Sequence, residues 1–112
     1  MRHFQASAVE RRRFFDSIVE SHPMEAGWAS EAIFFLIVEE TEPVEAVLHA
    51  QVDISADGIN WVAEGTSFPE IKQPGTYFVR VRHFGNWLRV SGTISGPQGG
   101  RMKLSVHLHL KD

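Results

Sequence analysis

His107 and His109 lie two residues apart in RMKLSVHLHLKD, residues 101–112, where apolar and polar residues alternate. On a β-strand this spacing places both imidazoles on one face. They could bind a metal ion with a third ligand such as His49 or Asp53. No spacing in the chain matches a known zinc pattern, however, and there are no cysteines. We therefore predict no metal site and no cofactor.

Sequence signals of catalysis are also missing. The chain has no nucleophile elbow, no HExxH motif and no glycine-rich phosphate loop at the start of a helix. GPQGG, residues 96–100, lies between two predicted strands and is interpreted as a turn. Acidic pairs such as Glu39 and Glu40 are not placed across a cleft as an acid and a base. We predict that the protein is not an enzyme.

Arginine and aromatic residues are concentrated in TYFVRVRHFGNWLRVSGTIS, residues 76–95. The pattern predicts two strands joined by a two-residue turn at Gly85-Asn86. In that register Arg82 lies directly opposite Arg89, which is unfavourable for like charges. We therefore expect carboxylates on this face, supplied by residues 39–45 of the same chain or of a neighbouring copy.

Two interpretations of this face are open. It is either a solvated face on which each arginine has a carboxylate partner, or a contact surface, because arginine and aromatic residues are enriched at interface centres. The predicted interface or ligand residues are Arg80, Arg82, Phe84, Trp87, Arg89 and Trp61. Nucleic acid is not the predicted ligand, because the formal net charge is -3.

Most of the chain has the pattern of β-strands. Its 112 residues fit one domain, and short alternating segments separated by turns predict an all-β antiparallel sandwich of jelly-roll type with seven to eight strands. The segment 32–38 is apolar on both faces, which indicates burial by a central position in a sheet or by a partner subunit. Asp57-Gly58 predicts a tight turn.

The first 30 residues are predicted to be an N-terminal arm or a short helix, followed by the β-sandwich over 31–112. Ser7 and Glu10 fit a helix capping box, but the apolar positions do not form a clean stripe. An extended arm would dock along a sheet edge or reach a neighbouring subunit. The N-terminal segment lacks the apolar core of a signal peptide, and no apolar run could span a bilayer. We expect a cytoplasmic or particle-associated protein without membrane partners.

Residues 45–111 resemble small β-sandwich structural proteins from tailed-phage and prophage-like gene clusters. The resemblance rests on two segments, QVDISADGINW and GTYFVRVRHFGNWLRVSGTIS. The residues that match the typical pattern of these proteins are Ser55, Asp57, Gly58, Trp61, Gly75, Tyr77, Arg80, Val81, Gly85, Leu88, Arg89 and Val90. It implies a virion-associated or shell-associated structural protein that works as an oligomer and has no catalytic residues.

The same two sequence segments also resemble those of carbohydrate-binding sandwich modules of the discoidin-like kind. In that alternative Trp61, Trp87, Phe84 and Arg89 would form a glycan platform. The preferred prediction is a non-catalytic structural protein that self-associates or decorates a phage-like particle or protein shell, and a glycan-binding module is the alternative.

Overall fold

The computed structural model describes residues 3–96 and 99–112. Within these ranges the chain forms nine β-strands and no helix. The strands are β1 (Phe4–Asp16), β2 (Ile18–Glu20), β3 (Met24–Glu25), β4 (Glu31–Glu42), β5 (Val47–Ser55), β6 (Trp61–Ser67), β7 (Gly75–Arg82), β8 (Trp87–Ser95) and β9 (Arg101–Lys111).

The strands form two antiparallel sheets. Sheet A has the order β1-β9-β4-β7, and sheet B has the order β2-β8-β5-β6, with β3 also pairing with β8. Most strands that follow each other in sequence lie in different sheets, so the chain crosses repeatedly between the two. The prediction of an all-β antiparallel fold is confirmed.

One hydrophobic core lies between the sheets. The alternation of the central strands produces it, because every second side chain points to the same face. Strand β9 buries Met102, Leu104, Val106, Leu108 and Leu110, as its sequence pattern predicts. Strand β4 buries Ala32, Phe34, Leu36 and Val38, and β5 and β8 supply Leu48, Val52, Leu88 and Val90 from the opposite sheet.

The first 30 residues contain strands rather than a helix. Strand β1 pairs with β9 at the edge of sheet A, with two register shifts between Ala8 and Arg13, and β2 pairs with β8 at the edge of sheet B. Phe15 and Val19 belong to the core. The extended alternative therefore describes this segment, and it docks on its own chain.

The prediction that β7 and β8 form a hairpin at Gly85-Asn86 is wrong. Strand β7 pairs with β4 in sheet A, whereas β8 pairs with β5 in sheet B. A two-residue hairpin turn of type I′ needs positive φ at both central residues, but the positive φ in this segment is at His83. The segment 83–86 therefore carries the chain from one sheet to the other, and Arg82 does not face Arg89.

Candidate interaction surfaces

The six predicted site residues are divided between two outer faces. Arg80 and Arg82 lie on exposed positions of β7 in sheet A, while Trp61, Trp87 and Arg89 lie on sheet B. Phe84, in the segment that crosses between the sheets, packs against the core. The structure therefore does not assemble one face from all six residues.

Arg89 is held on sheet B by two carboxylates and one aromatic ring. Its Nε donates to Asp53 Oδ2 at 3.0 Å, and its Nη1 lies 3.3 Å from Glu20 Oε2. Its guanidinium carbon lies 4.5 Å from the centre of the Trp61 ring. The register explains the pair with Asp53, since Arg89 and Asp53 are directly opposite on β8 and β5. The expected carboxylate exists, but residues 39–45 do not supply it.

Asp53 is a buried carboxylate, with 4% of its surface exposed. Besides Arg89, it accepts a hydrogen bond from Gln51 Nε2 at 2.9 Å. An ionised carboxylate at such a position is stabilised only when it is paired. Asp53 and Arg89 therefore balance each other's charge within the chain, and their ion pair is part of the fold.

The two tryptophans flank the turn between β5 and β6. Trp61 and Trp87 both pair with Ser55, one from each side. Asp57 accepts hydrogen bonds from the backbone amides of Ile59 and Asn60, which hold the pKa of its carboxyl below the usual value. Gly58, with φ 79°, lies against the Trp87 ring, where a Cβ would come within 3.0 Å of a ring carbon. The predicted Asp57-Gly58 turn is present.

A broad groove of about 540 Å³ crosses the outer face of sheet B. Its floor is polar and includes His49, Gln51, Ser91 and Thr93. Its sides include Ile18 and Glu20 of β2 and the segment from Ser67 to Glu70. Amide, hydroxyl and carboxylate groups of this kind can exchange hydrogen bonds with a polyhydroxylated ligand.

A row of ring side chains crosses the outer face of sheet A, with one ring from each strand. The ring centres are separated by 5.5 Å for Phe4–His109, 4.9 Å for His109–Phe35 and 6.0 Å for Phe35–Phe78. Phe4 is 60% exposed and Phe78 is 49% exposed. Arg80 lies over Phe78 at 5.0 Å. We call Ile33, Phe35, Ile37, Phe78 and His109 the sheet A patch.

The apolar character of β4 on both faces was the sequence signal for this patch. The inner face of β4 is buried in the core, while Ile33, Phe35 and Ile37 on the outer face are only partly covered. The core shared with sheet B accounts for the burial of the inner face of β4. Within residues 3–96 and 99–112, no third layer covers the apolar outer face. Phe78 and His109 join it only through tertiary register, which the sequence did not reveal.

The histidines considered as metal ligands lie on different sheets. His107 and His109 are on the outer face of sheet A, and His49 and Asp53 are on β5 of sheet B. Among residues 3–96 and 99–112, no group of three or more histidine, aspartate or glutamate side chains could hold a metal ion. Nor does this part of the chain contain a helix long and apolar enough to cross a membrane.

The fold is similar to those of two solved structures. The SPBc2 prophage-derived protein YomS matches with a TM-score of 0.61 and 8% identity, over 100% of this chain and 96% of that one. A chain in the structure of infectious bursal disease virus, Gx strain, matches with a TM-score of 0.62 and 8% identity over 98% of this chain. The match spans 33% of that viral chain.

No protein-family model matches the sequence, and no curated protein matches it. At 8% identity the two structural matches establish a shared fold.

Proposed function

We propose that this protein is a non-catalytic structural protein that self-associates within, or decorates, a phage-like particle or other protein shell. The observation that carries the proposal is the full-length similarity of its fold to a prophage-derived protein. The similarity to one third of a chain from a virus structure supports the same role. In this role the protein is cytoplasmic before assembly and particle-associated after it.

The strand order supports a jelly-roll assignment. If β2 and β3 are taken as one interrupted strand, eight strands form two four-stranded antiparallel sheets, with β1-β9-β4-β7 facing β2-β8-β5-β6. Jelly rolls are double-sheet folds of eight strands that occur in viral capsids. The assignment is consistent with the resemblance found in the sequence.

The use of the polar side chains supports a non-catalytic role without a cofactor. The most buried carboxylate, Asp53, is neutralised by Arg89 and held by Gln51. Asp57, an exposed carboxylate whose pKa is lowered by hydrogen bonds, is engaged in closing its own turn. Both groups therefore stabilise the fold.

Electron microscopy of the purified, concentrated protein tests the proposal. We expect discrete rings, shells or other closed particles of uniform size. Isolated monomers at every concentration, with no binding to a phage-like particle when the two are mixed, would contradict it.

The sheet B groove favours a second candidate, a carbohydrate-binding module. The polar floor of the groove and the neighbouring Trp61 suit a polyhydroxylated ligand. Titration with a broad glycan panel should then change the tryptophan fluorescence, because Trp61 lies beside Arg89 at the groove. A flat response to the whole panel would remove this candidate.

A further inference from the structure

We propose that two copies of this chain pair through the sheet A patch, with their strands running in opposite directions across the contact. This inference rests on the proposed self-association and identifies the surface that carries it. The occupant of the patch is a second copy of the same chain, and the contact is two-fold symmetric.

Two arginines beside the patch have no carboxylate partner in the part of the chain that the structure describes. Within residues 3–96 and 99–112, neither Arg80 nor Arg82 forms an ion pair. The four remaining residues, Met1, Arg2, Pro97 and Gln98, have no carboxylate side chain. Arg89 shows the contrast, since two carboxylates of its own chain reach it.

The two ends of the sheet A face carry opposite excess charge. Around a shallow cavity at one end, Arg80, Arg82 and Lys111 accompany a single carboxylate, Glu31. At the other end, four carboxylates accompany three cations in two separate groups of ion pairs. One group contains Glu39 and Glu40 with Arg12 and Lys103, and the other contains Asp16 and Glu42 with Arg101. The Phe35–Phe78 pair lies between these ends.

The register places these charges at similar distances from the Phe35–Phe78 pair, with a β-bulge between Val38 and Glu40 on the β4 side. Arg82 lies four residues beyond Phe78 on β7, and Glu39 lies four residues beyond Phe35 on β4. Because β4 and β7 are antiparallel, the two positions lie on opposite sides of the ring pair. Neighbouring strands are about 4.8 Å apart, so the sideways displacement between Arg82 on β7 and Glu39 on β4 is small.

A two-fold axis across the strands at Phe35 and Phe78 would therefore bring Arg82 of one copy over Glu39 and Glu40 of the other. It would also pack the Phe35–Phe78 rings against the same pair in the second copy. An axis parallel to the strands would instead place the cationic ends on each other, and like charges disfavour such a contact. Charge complementarity thus selects the antiparallel arrangement.

Cross-linking between single-cysteine variants tests this geometry, because the native chain has no cysteine. R82C and E40C are mixed and treated with a bis-maleimide reagent that spans roughly 10 Å, the usual distance between packed sheets. The expected product joins position 82 of one copy to position 40 of another. Two copies of R82C alone should not react, since eight residues along a strand separate the symmetry-related positions by about 26 Å.

Two matched controls accompany the cross-linking. I18C places a cysteine on the outer face of sheet B, on a side chain that is 60% exposed, and should not be joined to R82C. F78S should weaken association of the whole protein at least tenfold, whereas I18S should leave it unchanged. Phe78 is 49% exposed and Ile18 is 60% exposed, so neither change removes a core residue.

The outcomes separate this inference from the proposed function. An oligomeric native protein that gives the 82–40 product supports both. An oligomeric protein that gives no such product, or gives mainly 82–82 product, overturns the sheet A contact and leaves self-association standing. A native protein that is monomeric at all concentrations overturns the sheet A contact and leaves only decoration of a preformed particle from the proposed function.

Discussion

Arg89 and Asp53 form the ion pair that orders the outer face of sheet B. Both side chains are largely removed from water, with relative exposures of 19% for Arg89 and 6% for Asp53. Loss of one partner from a buried pair leaves an uncompensated charge, which is far more costly than the loss of an exposed pair. The contribution of an arginine to the stability of the fold thus depends on whether it has a carboxylate partner and on how far the pair is buried.

The first residue-scale prediction concerns this pair. Arg89→Met should lower the free energy of unfolding by about 3 kcal/mol, because Asp53 would remain buried without its cation. Arg80→Met is the control and should change monomer stability by less than about 0.5 kcal/mol, since Arg80 is exposed. Urea denaturation followed by circular dichroism measures both. Equal effects of the two substitutions would contradict the account.

The second residue-scale prediction concerns Asp57 and pH. Hydrogen bonds from Asn60 and Ile59 lower its pKa in the folded state, so its ionised form favours folding at pH values above about 4, the usual aspartate pKa. This contribution is lost as the pH falls toward the lowered folded-state pKa. The melting temperature of wild type should exceed that of Asp57→Asn near neutral pH, and the difference should shrink below about pH 4. A difference that is constant with pH would contradict this assignment.

At the scale of elements, β8 depends on a close backbone approach at Gly92. Gly92 lies between Ala50 of β5 and Val19 of β2. A Cβ at this position would collide with the carbonyl oxygen of His49 and come within 2.9 Å of the Ala50 Cα. Both contacts are with backbone, so relief would require the strands to separate.

Gly92→Ala should therefore destabilise the protein by about 3 kcal/mol or more. Gly85→Ala is a matched control, because the nearest atom to a Cβ there is the Ser55 carbonyl oxygen at 3.9 Å. Thermal unfolding of the two variants should differ clearly. Similar melting temperatures for both would contradict the predicted approach between β8 and β5.

The N-terminal strands supply the other element-scale prediction. Removal of residues 1–30 would delete β1, strip Phe15, Val19 and Ala26 from the core and expose the edge of β9. An unpaired, long edge strand promotes aggregation. We expect the truncated chain to be unfolded or aggregated by circular dichroism and light scattering. A folded monomer after truncation would show that these residues act as a detachable arm instead.

Local patterns in the sequence predict strands well and strand partners poorly. The alternation of 102–110 revealed β9 and its buried face, because a period of two depends only on the residues of that strand. The partners of β7 and β8 could not be predicted, since a short polar segment can either turn back in one sheet or cross to the other. The residues of 83–86 are compatible with either course of the chain, and the structure has the crossing.

The same distinction applies to the candidate site. Arg89 and Trp61 were predicted to share a face, and the structure places them 4.5 Å apart. Arg80 and Arg82 were assigned to that face only because β7 and β8 were predicted to form a hairpin. In the structure β7 belongs to sheet A, so both arginines lie on sheet A instead. Phe4 and His109 were missed because they meet Phe35 only after β1, β9 and β4 pair.

At the scale of the whole molecule, the two outer faces have different characters. Sheet B carries a polar groove and an internally satisfied Arg89 cluster. Sheet A carries exposed aromatic rings and two arginines, Arg80 and Arg82, that form no ion pair within residues 3–96 and 99–112. Exposed apolar surface rimmed by charge is typical of contact surfaces between proteins. This asymmetry supports assembly through sheet A.

The native mass of the wild-type protein, measured by light scattering behind size exclusion at low and high salt, tests self-association most directly. We expect a defined oligomer at low salt that dissociates at least in part at high salt, because salt screens the contacts of exposed arginines. A monomer at every concentration and at both salt levels would contradict it.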